Sequence, residues 1–263
     1  MTAASSFDPD SGRLALTPGA LNALRLAGAS GLGALPIELR KEISAGSLTV
    51  DNDIHPRLVS LARCLARPHV RLVLDQTGSD RQLQGWIDEQ IAVLTRPSIS
   101  HPASQADVVV VPRGMVPLRL ANLIALGPRP RVKLNEPAEL DRSLLETLLS
   151  GEETLSLAQV DALSSETDEL IPEWTEVLAA LSAGKSTRWL AGAWWNAPGE
   201  SPKARSLEVV EGEVGSYLVL DATRRDGPFR RVRLRPLNAS AIWRLLCGLV
   251  PSQDEIAEPF SIE

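Results

Sequence analysis

The chain has 263 residues, which suits one large domain or two ordinary ones, and either would bury a sizeable core. Hydrophobic residues make up 44% and charged residues 23%, a globular composition that argues against a disordered chain and against a membrane protein. The formal net charge of -6 would repel a phosphate backbone, so we expect no nucleic-acid partner.

The amino terminus, MTAASSFDPDSGRLAL, lacks the basic start and apolar core of a signal peptide. No run approaches the roughly 20 apolar residues needed to cross a bilayer. We therefore expect a cytoplasmic protein without membrane insertion. Cys64 and Cys247 lie in apolar helical contexts and are interpreted as ordinary buried thiols, which suggests a reducing compartment.

The first half of the chain alternates helical and strand-like segments. Thr17 can cap a helix in TPGALNALRLAG, and HPRLVSLARCLARP predicts a second helix that Pro68 ends. VRLVLD is strand-like, and QLQGWIDEQIAVLTR favours strands because its apolar residues include Trp86 and several β-branched residues. DVVVVPRGMVPL predicts the next strand, and LRLANLIAL a helix closed by Gly127 and Pro128.

The second half repeats this order of elements. IPEWTEVLAALSAG predicts a helix, TRWLAGAWWN, SLEVVEGE, GSYLVLDATR and FRRVRLRPL predict strands, and ASAIWRLLCGL predicts the closing helix. Residues 136–171, between the strand clusters, are interpreted as helices with acidic, solvated faces. Tandem helices and strands can produce such a repeat by chance, but we favour two related halves, approximately 14–135 and 136–250, followed by a short acidic tail at 251–263.

Two strand clusters flanked by helices indicate an α+β fold. We expect a quasi-two-fold repeat with a central, mostly antiparallel sheet and two flanking helical bundles. The crossover helices that a doubly wound parallel sheet requires are missing, which argues against a Rossmann fold. Residues 96–107, RPSISHPASQAD, are interpreted as a long polar linker.

No arrangement of residues predicts catalysis, a cofactor or a metal ion. His55, His69 and His101 lack the short spacing of a metal site. GASGLGALP follows a helix, whereas a phosphate-binding loop follows a strand. AGKST imitates the end of a P-loop at Lys185, but Ala179 stands where the upstream glycine would be. We therefore predict that the protein is not an enzyme.

Tryptophan is concentrated in the second half, which holds five of the six in the chain. Trp194 and Trp195 are adjacent on a predicted strand, so their side chains point to opposite faces of the sheet. Both can be core residues only if both faces are covered. An exposed tryptophan would mark a binding surface, because tryptophan and arginine often carry protein interfaces.

Two passages resemble a known family. LARPHVRLVLD, and the distal GSYLVLDATRRDGPFRRVRLRPLNASAIWRLLCGL, are similar to the EspG family of type VII (ESX) secretion-associated proteins from actinobacteria. The order of segments matches over nearly the whole chain, as a single EspG-like domain over 1–263. The resemblance implies a cytoplasmic, non-enzymatic chaperone that binds the helical tip of a PPE protein in a PE–PPE heterodimer and keeps the pair soluble for export. Components of the secretion machinery are further candidate partners.

The resemblance also implies that the sheet and the C-terminal half form the binding surface. Two alternatives stay open: an interaction module unrelated to secretion, and an enzyme whose site is assembled from isolated residues such as His55, His69 and Asp75. The partner-binding candidates that the resemblance implies are Trp194, Trp195, Val209, Glu211, Tyr217, Arg233 and Arg235.

Overall fold

A computed structural model describes residues 4–44, 47–77, 82–98, 105–129, 134, 136–150, 172–183, 186–199, 201–221 and 231–260. Within these ranges the chain forms seven α-helices and thirteen strands, of which eleven belong to one sheet. None of the described helices is long and apolar enough to span a membrane.

The first half contributes eight strands and four helices. The strands are β1 (Ser6–Phe7), β2 (Leu14–Leu16), β3 (Thr49–Val50), β4 (Asp53–Ile54), β5 (Val70–Gln76), β6 (Leu83–Ile87), β7 (Ile91–Pro97) and β8 (Ala106–Pro112). The helices are α1 (Pro18–Ser30), α2 (Ile37–Ser44), α3 (Val59–Ala66) and α4 (Val116–Leu123).

The second half contributes the remaining elements within the described ranges. They are β9 (Ala138–Asp141), α5 (Arg142–Ser150), α6 (Pro172–Ser182), β10 (Thr187–Trp195), β11 (Lys203–Gly212), β12 (Gly215–Asp221), β13 (Arg231–Leu237) and α7 (Ala239–Leu249).

Local signals in the sequence predict most of these elements correctly. Thr17 caps α1, since its hydroxyl oxygen accepts the backbone N–H of Ala20 at 3.1 Å. Asn238 caps α7 in the same way, accepting from Ala241 at 2.8 Å. The ambiguous segment around Trp86 forms the hairpin of β6 and β7, as its β-favouring residues indicate.

Two interpretations of segments are wrong. Residues 136–171 were expected to be helical, but Ala138–Asp141 is a strand that pairs with β13, and only α5 is helical among the described residues there. The predicted helix in 151–171 lies outside the described residues. The linker at 96–107 is shorter than expected, because Arg96 lies in β7 opposite Asp107 in β8, and their side chains pair at 3.6 Å.

The large sheet has the order β1-β2-β8-β7-β6-β5-β10-β11-β12-β13-β9, and every neighbouring pair is antiparallel. The two halves meet at β5 and β10, where Val73 lies opposite Gly192. The α+β class and the antiparallel sheet are confirmed. The two-fold relation between the halves stays a prediction, since a shared order of elements does not measure a rotation.

The helices cover the two faces of the sheet differently. On one face, called the back face, α4 and α7 pack over the centre in a core that includes Leu72, Trp189 and Leu246. On the other, the front face, α1, α2 and α3 cover one end, and α5 and α6 cover the other, in two separate cores. The centre of the front face lies between these two cores.

The two cysteines have different environments. Cys64 is buried, and its thiol donates to the carbonyl oxygen of Trp86 at 3.2 Å. Burial is the main cause that raises the pKa of this thiol to about 12. Cys247 was expected to be buried but is exposed, because the apolar stripe of α7 runs through Ile242, Leu246 and Leu249 and leaves residue 247 on the outer side.

Helices α1 and α3 approach each other closely at Gly28. A methyl group added there would lie 2.1 Å from the carbonyl oxygen of Ala62, which belongs to the backbone of α3 and cannot move aside alone. Gly28 therefore belongs to a helix crossing that requires a residue without Cβ.

We expect Gly28→Ala to lower the free energy of unfolding by about 3 kcal/mol, because the overpacked helices must separate. Gly33→Ala is the matched control, since a methyl group at Gly33 meets nothing within 4 Å. This control should change the free energy by no more than about 0.5 kcal/mol. Urea denaturation of both variants measures the difference, and equal stabilities would contradict the crossing described here.

Candidate functional site

The adjacent tryptophans of β10 point to opposite faces, as the alternation of a strand predicts. Trp195 is 2% exposed and lies in the core of the back face, where the guanidinium of Arg205 stands 5.0 Å from its ring centroid. Trp194 is 41% exposed on the front face. Of the two, Trp194 alone is available to a partner.

Four of the seven predicted partner-binding residues lie in the interior: Trp195, Val209, Glu211 and Tyr217. Val209 packs in the core of the back face, and Glu211 forms an ion pair with Arg129 at 3.1 Å. Tyr217 packs against Trp174, and burial raises the pKa of its hydroxyl to about 12. The structure thus corrects the predicted surface, because these four side chains are enclosed by helices and loops that the strand pattern did not locate.

Arg233 and Arg235 are exposed, but they do not share a surface with Trp194. Val232 and Leu234 belong to a core of the front face, so the alternating arginines of β13 point to the back face. Arg233 also donates from Nε to a carboxylate oxygen of Glu139 at 2.9 Å. The structure therefore separates the predicted arginines from Trp194.

None of the described helices covers the centre of the front face, which forms a continuous strip over three strands, named the central strip. Its two large exposed apolar side chains are Leu190, at 45% exposure, and Trp194. The sequence analysis did not identify Leu190, although Leu190 and Trp194 are four residues apart on β10 and therefore lie on the same face of the sheet. The strip consists of Arg71, Val73 and Asp75 of β5, Leu190, Gly192 and Trp194 of β10, and Ala204 and Ser206 of β11.

Gly192 determines how the indole of Trp194 lies. A Cβ at Gly192 would be 2.7 Å from Cη2 of Trp194, so the ring occupies the space that any other residue would fill. The indole consequently lies along the strand direction rather than standing away from the sheet. Residues 192 and 194 are two apart on one strand, which places them on the same face.

A network of four charged residues forms one wall of the central strip. Arg142 of α5 and Arg188 of β10 both contact the carboxylate of Glu208 at 2.8 Å, and Arg188 also contacts Glu146 at 2.7 Å. The hydrogen bonds that Arg142 donates to the carboxylate of Glu208 are the main cause that raises the pKa of Arg142. Glu208 is the most buried member, with 11% of its side chain exposed, so the network fixes α5 against β10 and β11.

The C-terminal segment lies at one end of the strip instead of extending freely. The backbone N–H of Ala257 donates to Asn196, and that of Phe260 donates to Pro68, both at 2.8 Å. The guanidinium of Arg71 lies 4.8 Å from the ring centroid of Phe260. Since Arg71 is the cross-strand neighbour of Trp194, Phe260 lies near the exposed indole.

The residues of the enzymatic alternative do not come together. His55 packs edge-on against Phe7 and accepts the backbone N–H of Arg57. His69 precedes β5, whereas Asp75 lies near its far end, about 20 Å along an extended strand. No group of three or more His, Cys, Asp or Glu residues that could hold a metal ion occurs in the described part of the chain.

Comparison with known proteins places the fold. No protein-family model matches the sequence, and no curated protein matches it. Among solved structures, the chain is similar to the Mycobacterium tuberculosis type VII secretion system chaperone EspG5, solved in complex with the PE25–PPE41 dimer. The identity is 11%, the TM-score is 0.58, and the match covers 93% of this chain and 100% of the other. The chain therefore has an EspG-like fold.

We expect Glu208→Gln to lower the free energy of unfolding by about 2 kcal/mol, because it leaves two partly buried guanidinium groups without their shared carboxylate. Glu146→Gln is the matched control, since Glu146 belongs to the same network but is 48% exposed. The control should cost about 0.5 kcal/mol or less. Chemical denaturation compares the two, and equal losses would show that burial does not distinguish these carboxylates.

Proposed function

We propose that this protein is a cytoplasmic chaperone of a type VII secretion system in an actinobacterium. It binds the helical tip of a PPE protein within a PE–PPE heterodimer and keeps the pair soluble until the secretion machinery receives it. The observation that carries the proposal is the likeness to EspG5, a chaperone solved with a PE–PPE dimer, over nearly the full length of both chains.

The shape of the central strip supports this proposal. Neighbouring strands are about 4.8 Å apart, so the three strands of the central strip, β5, β10 and β11, span about 10 Å between the outer strand axes. An α-helix with its side chains is about 10–12 Å wide. The strip is therefore about as wide as one helix, and a single helical tip lying on it would contact an apolar base.

The chemistry of the strip supports it as well. Trp194 and Leu190 offer apolar area to the apolar side chains of a tip, and each square ångström removed from water contributes about 25 cal/mol. Arg71, Asp75 and the Glu208 network surround this area with charges that stay hydrated before and after binding. A small apolar centre with a polar rim suits reversible binding, which a chaperone needs in order to release its client.

Co-purification with the PE–PPE pair encoded nearest to its gene tests the function. We expect the wild-type protein to retain the pair, and Trp194→Ala combined with Leu190→Ala to weaken binding by about tenfold or more, since a central tryptophan commonly dominates an interface. Isothermal titration calorimetry with the purified pair gives the affinities.

Arg235→Ala is the matched control, because Arg235 is an exposed residue of the same sheet on the back face. It should bind as the wild type does. If Arg235→Ala weakens binding and the double variant does not, the binding surface is the back face and the central strip is the wrong surface. If the wild type retains no PE–PPE pair, the chaperone function is refuted, and recovery of an unrelated protein would favour the interaction module.

A further inference from the structure

Strand β8 is paired along its whole length on one side only. β7 pairs with residues 106–112, whereas β2 pairs with 106–108 and then turns away into its hairpin with β1. Residues 109–112 of β8 consequently have no second neighbouring strand in the part of the chain that the structure describes. The large sheet thus has an open edge at the end of the first half.

The direction of the backbone groups at this edge follows from two hydrogen bonds. The N–H of Ser98 donates to Gln105 at 2.9 Å, and the N–H of Arg113 donates to Gln90 at 2.8 Å. Antiparallel strands alternate their hydrogen-bonded residues, so the odd-numbered residues of β8 bond to β7. The N–H and C=O of Val110 therefore point outward, to the side where β2 has ended.

The open edge is apolar. Val109 is 37% exposed and Val110 is 45% exposed, and no charged side chain lies between them and Pro112. Exposed edge strands are usually protected by lysine, by proline, by a bulge or by a covering segment, because free backbone groups invite another strand. Pro112 protects the last position of this edge, but residues 109–111 carry none of these features within the part of the chain that the structure describes, which is the arrangement expected of a site that receives a strand.

A groove of about 980 Å³ surrounds this edge. Leu58 and Leu61 line it together with Val108 and Val110. The two valines lie on the front face of the sheet, which is the face that α3 covers. The same groove is lined by three arginines, Arg13, Arg57 and Arg96, and by two aspartates, Asp8 and Asp107.

The charges of the groove favour an acidic occupant. Asp107 pairs with Arg96 at 3.6 Å. Asp8 accepts hydrogen bonds from Ser11 and from the backbone N–H of Asp10, and the Ser11 side chain is the main cause that lowers the pKa of Asp8. Arg96 is engaged by Asp107 in turn, Arg57 donates to the backbone carbonyl oxygen of Pro9, and Arg13 lies close enough to Asp8 to lower its pKa. The three guanidinium groups and two carboxylates still leave the groove with a charge of +1, in a chain whose net charge is -6.

We propose that the free edge of β8 at Val110 binds an extended, acidic segment of a partner protein as an added strand. The N–H and C=O of Val110 bond to the backbone of the segment, and its apolar side chains pack on Val110, Leu58 and Leu61. Its carboxylates lie near Arg13 and Arg57. This site is separate from the central strip and does not depend on the function proposed for that strip.

A second copy of this chain fits the edge less well. Two copies paired through β8 would share only the short stretch 109–112 and would bring their arginine-lined grooves together. Like charges placed side by side oppose such pairing, whereas an acidic segment is attracted. The few backbone hydrogen bonds available make the side-chain and charge contacts necessary for specificity.

The test uses a fluorescein-labelled peptide of about eight residues, a common strand length, in which valines alternate with glutamates. Fluorescence anisotropy with the full chain measures binding, and a matched peptide with lysines in place of glutamates measures the charge preference. Val110→Pro removes the outward N–H without removing a bond to β7, so the fold is retained. Val110→Thr is the matched control, because it keeps the N–H and the β-branched shape.

We expect the glutamate peptide to bind, the lysine peptide to bind at least about tenfold more weakly, and Val110→Pro to reduce binding of the glutamate peptide by about tenfold. Val110→Thr should stay within about threefold of the wild type, and Arg13→Gln should weaken binding and reduce its dependence on salt. Thermal melting checks that the variants are folded.

Absence of binding by the glutamate peptide overturns the proposal, as does binding that a folded Val110→Pro variant leaves unchanged. Equal binding of both peptides overturns the acidic preference. Sedimentation velocity of the free protein distinguishes self-association: a dimer that Val110→Pro converts to a monomer would assign the edge to a second copy of this chain and refute an acidic partner.

Discussion

The antiparallel pairing of β5 with β10 is the constraint on which the rest of the molecule depends. It joins a meander from the first half to a meander from the second, so that eleven strands form one sheet across the described chain. Because the two strands are central, their back-facing residues are covered jointly by α4 and α7, in a single core that crosses the boundary between the halves. On the front face the helices lie at the outer ends, in two cores that do not meet. The central strip is the gap that this arrangement leaves.

The two-residue period of a strand then decides which side chains a partner can reach. Trp194 and Trp195 are adjacent in sequence but lie on opposite faces of the sheet. A shift of one residue in the β5–β10 register would therefore exchange their environments. The alternation could be read from the sequence, which is why opposite faces were expected for the pair. The covering of each face could not be read, because it depends on where α4, α7 and the loop carrying Arg129 pack, and these are contacts distant in the chain. Val209, Glu211 and Tyr217 were named from the family resemblance, and their burial depends on such distant contacts, which for Tyr217 are made by α6.

The same distinction between local and distant information separates the other correct and wrong interpretations. Caps at Thr17 and Asn238 and the hairpin of β6 and β7 are set by residues close in sequence. The strand β9 is only four residues long and acquires its structure from β13, about ninety residues later, so its local pattern resembles the start of a helix. Leu190 shows the opposite case: its position on the front face follows from the local alternation of β10, and it is a surface residue because none of the described helices covers the centre of that face.

An exposed tryptophan and leucine at the centre of a sheet would promote aggregation unless their surroundings opposed it. Charged side chains border the strip on two sides: the network of Arg142, Glu208, Arg188 and Glu146 on one side, and Arg71 beside Phe260 at the end. Only a partner narrow enough to fit between them can contact the apolar centre. A flat hydrophobic surface would bury Trp194 only by also removing these charges from water. The free-energy cost of that desolvation exceeds the gain from burying the small apolar area. A narrow helical tip can cover Trp194 and Leu190 while the charged walls remain in contact with water. In the proposed binding mode, the charges around the strip would supply its selectivity and the apolar residues its affinity.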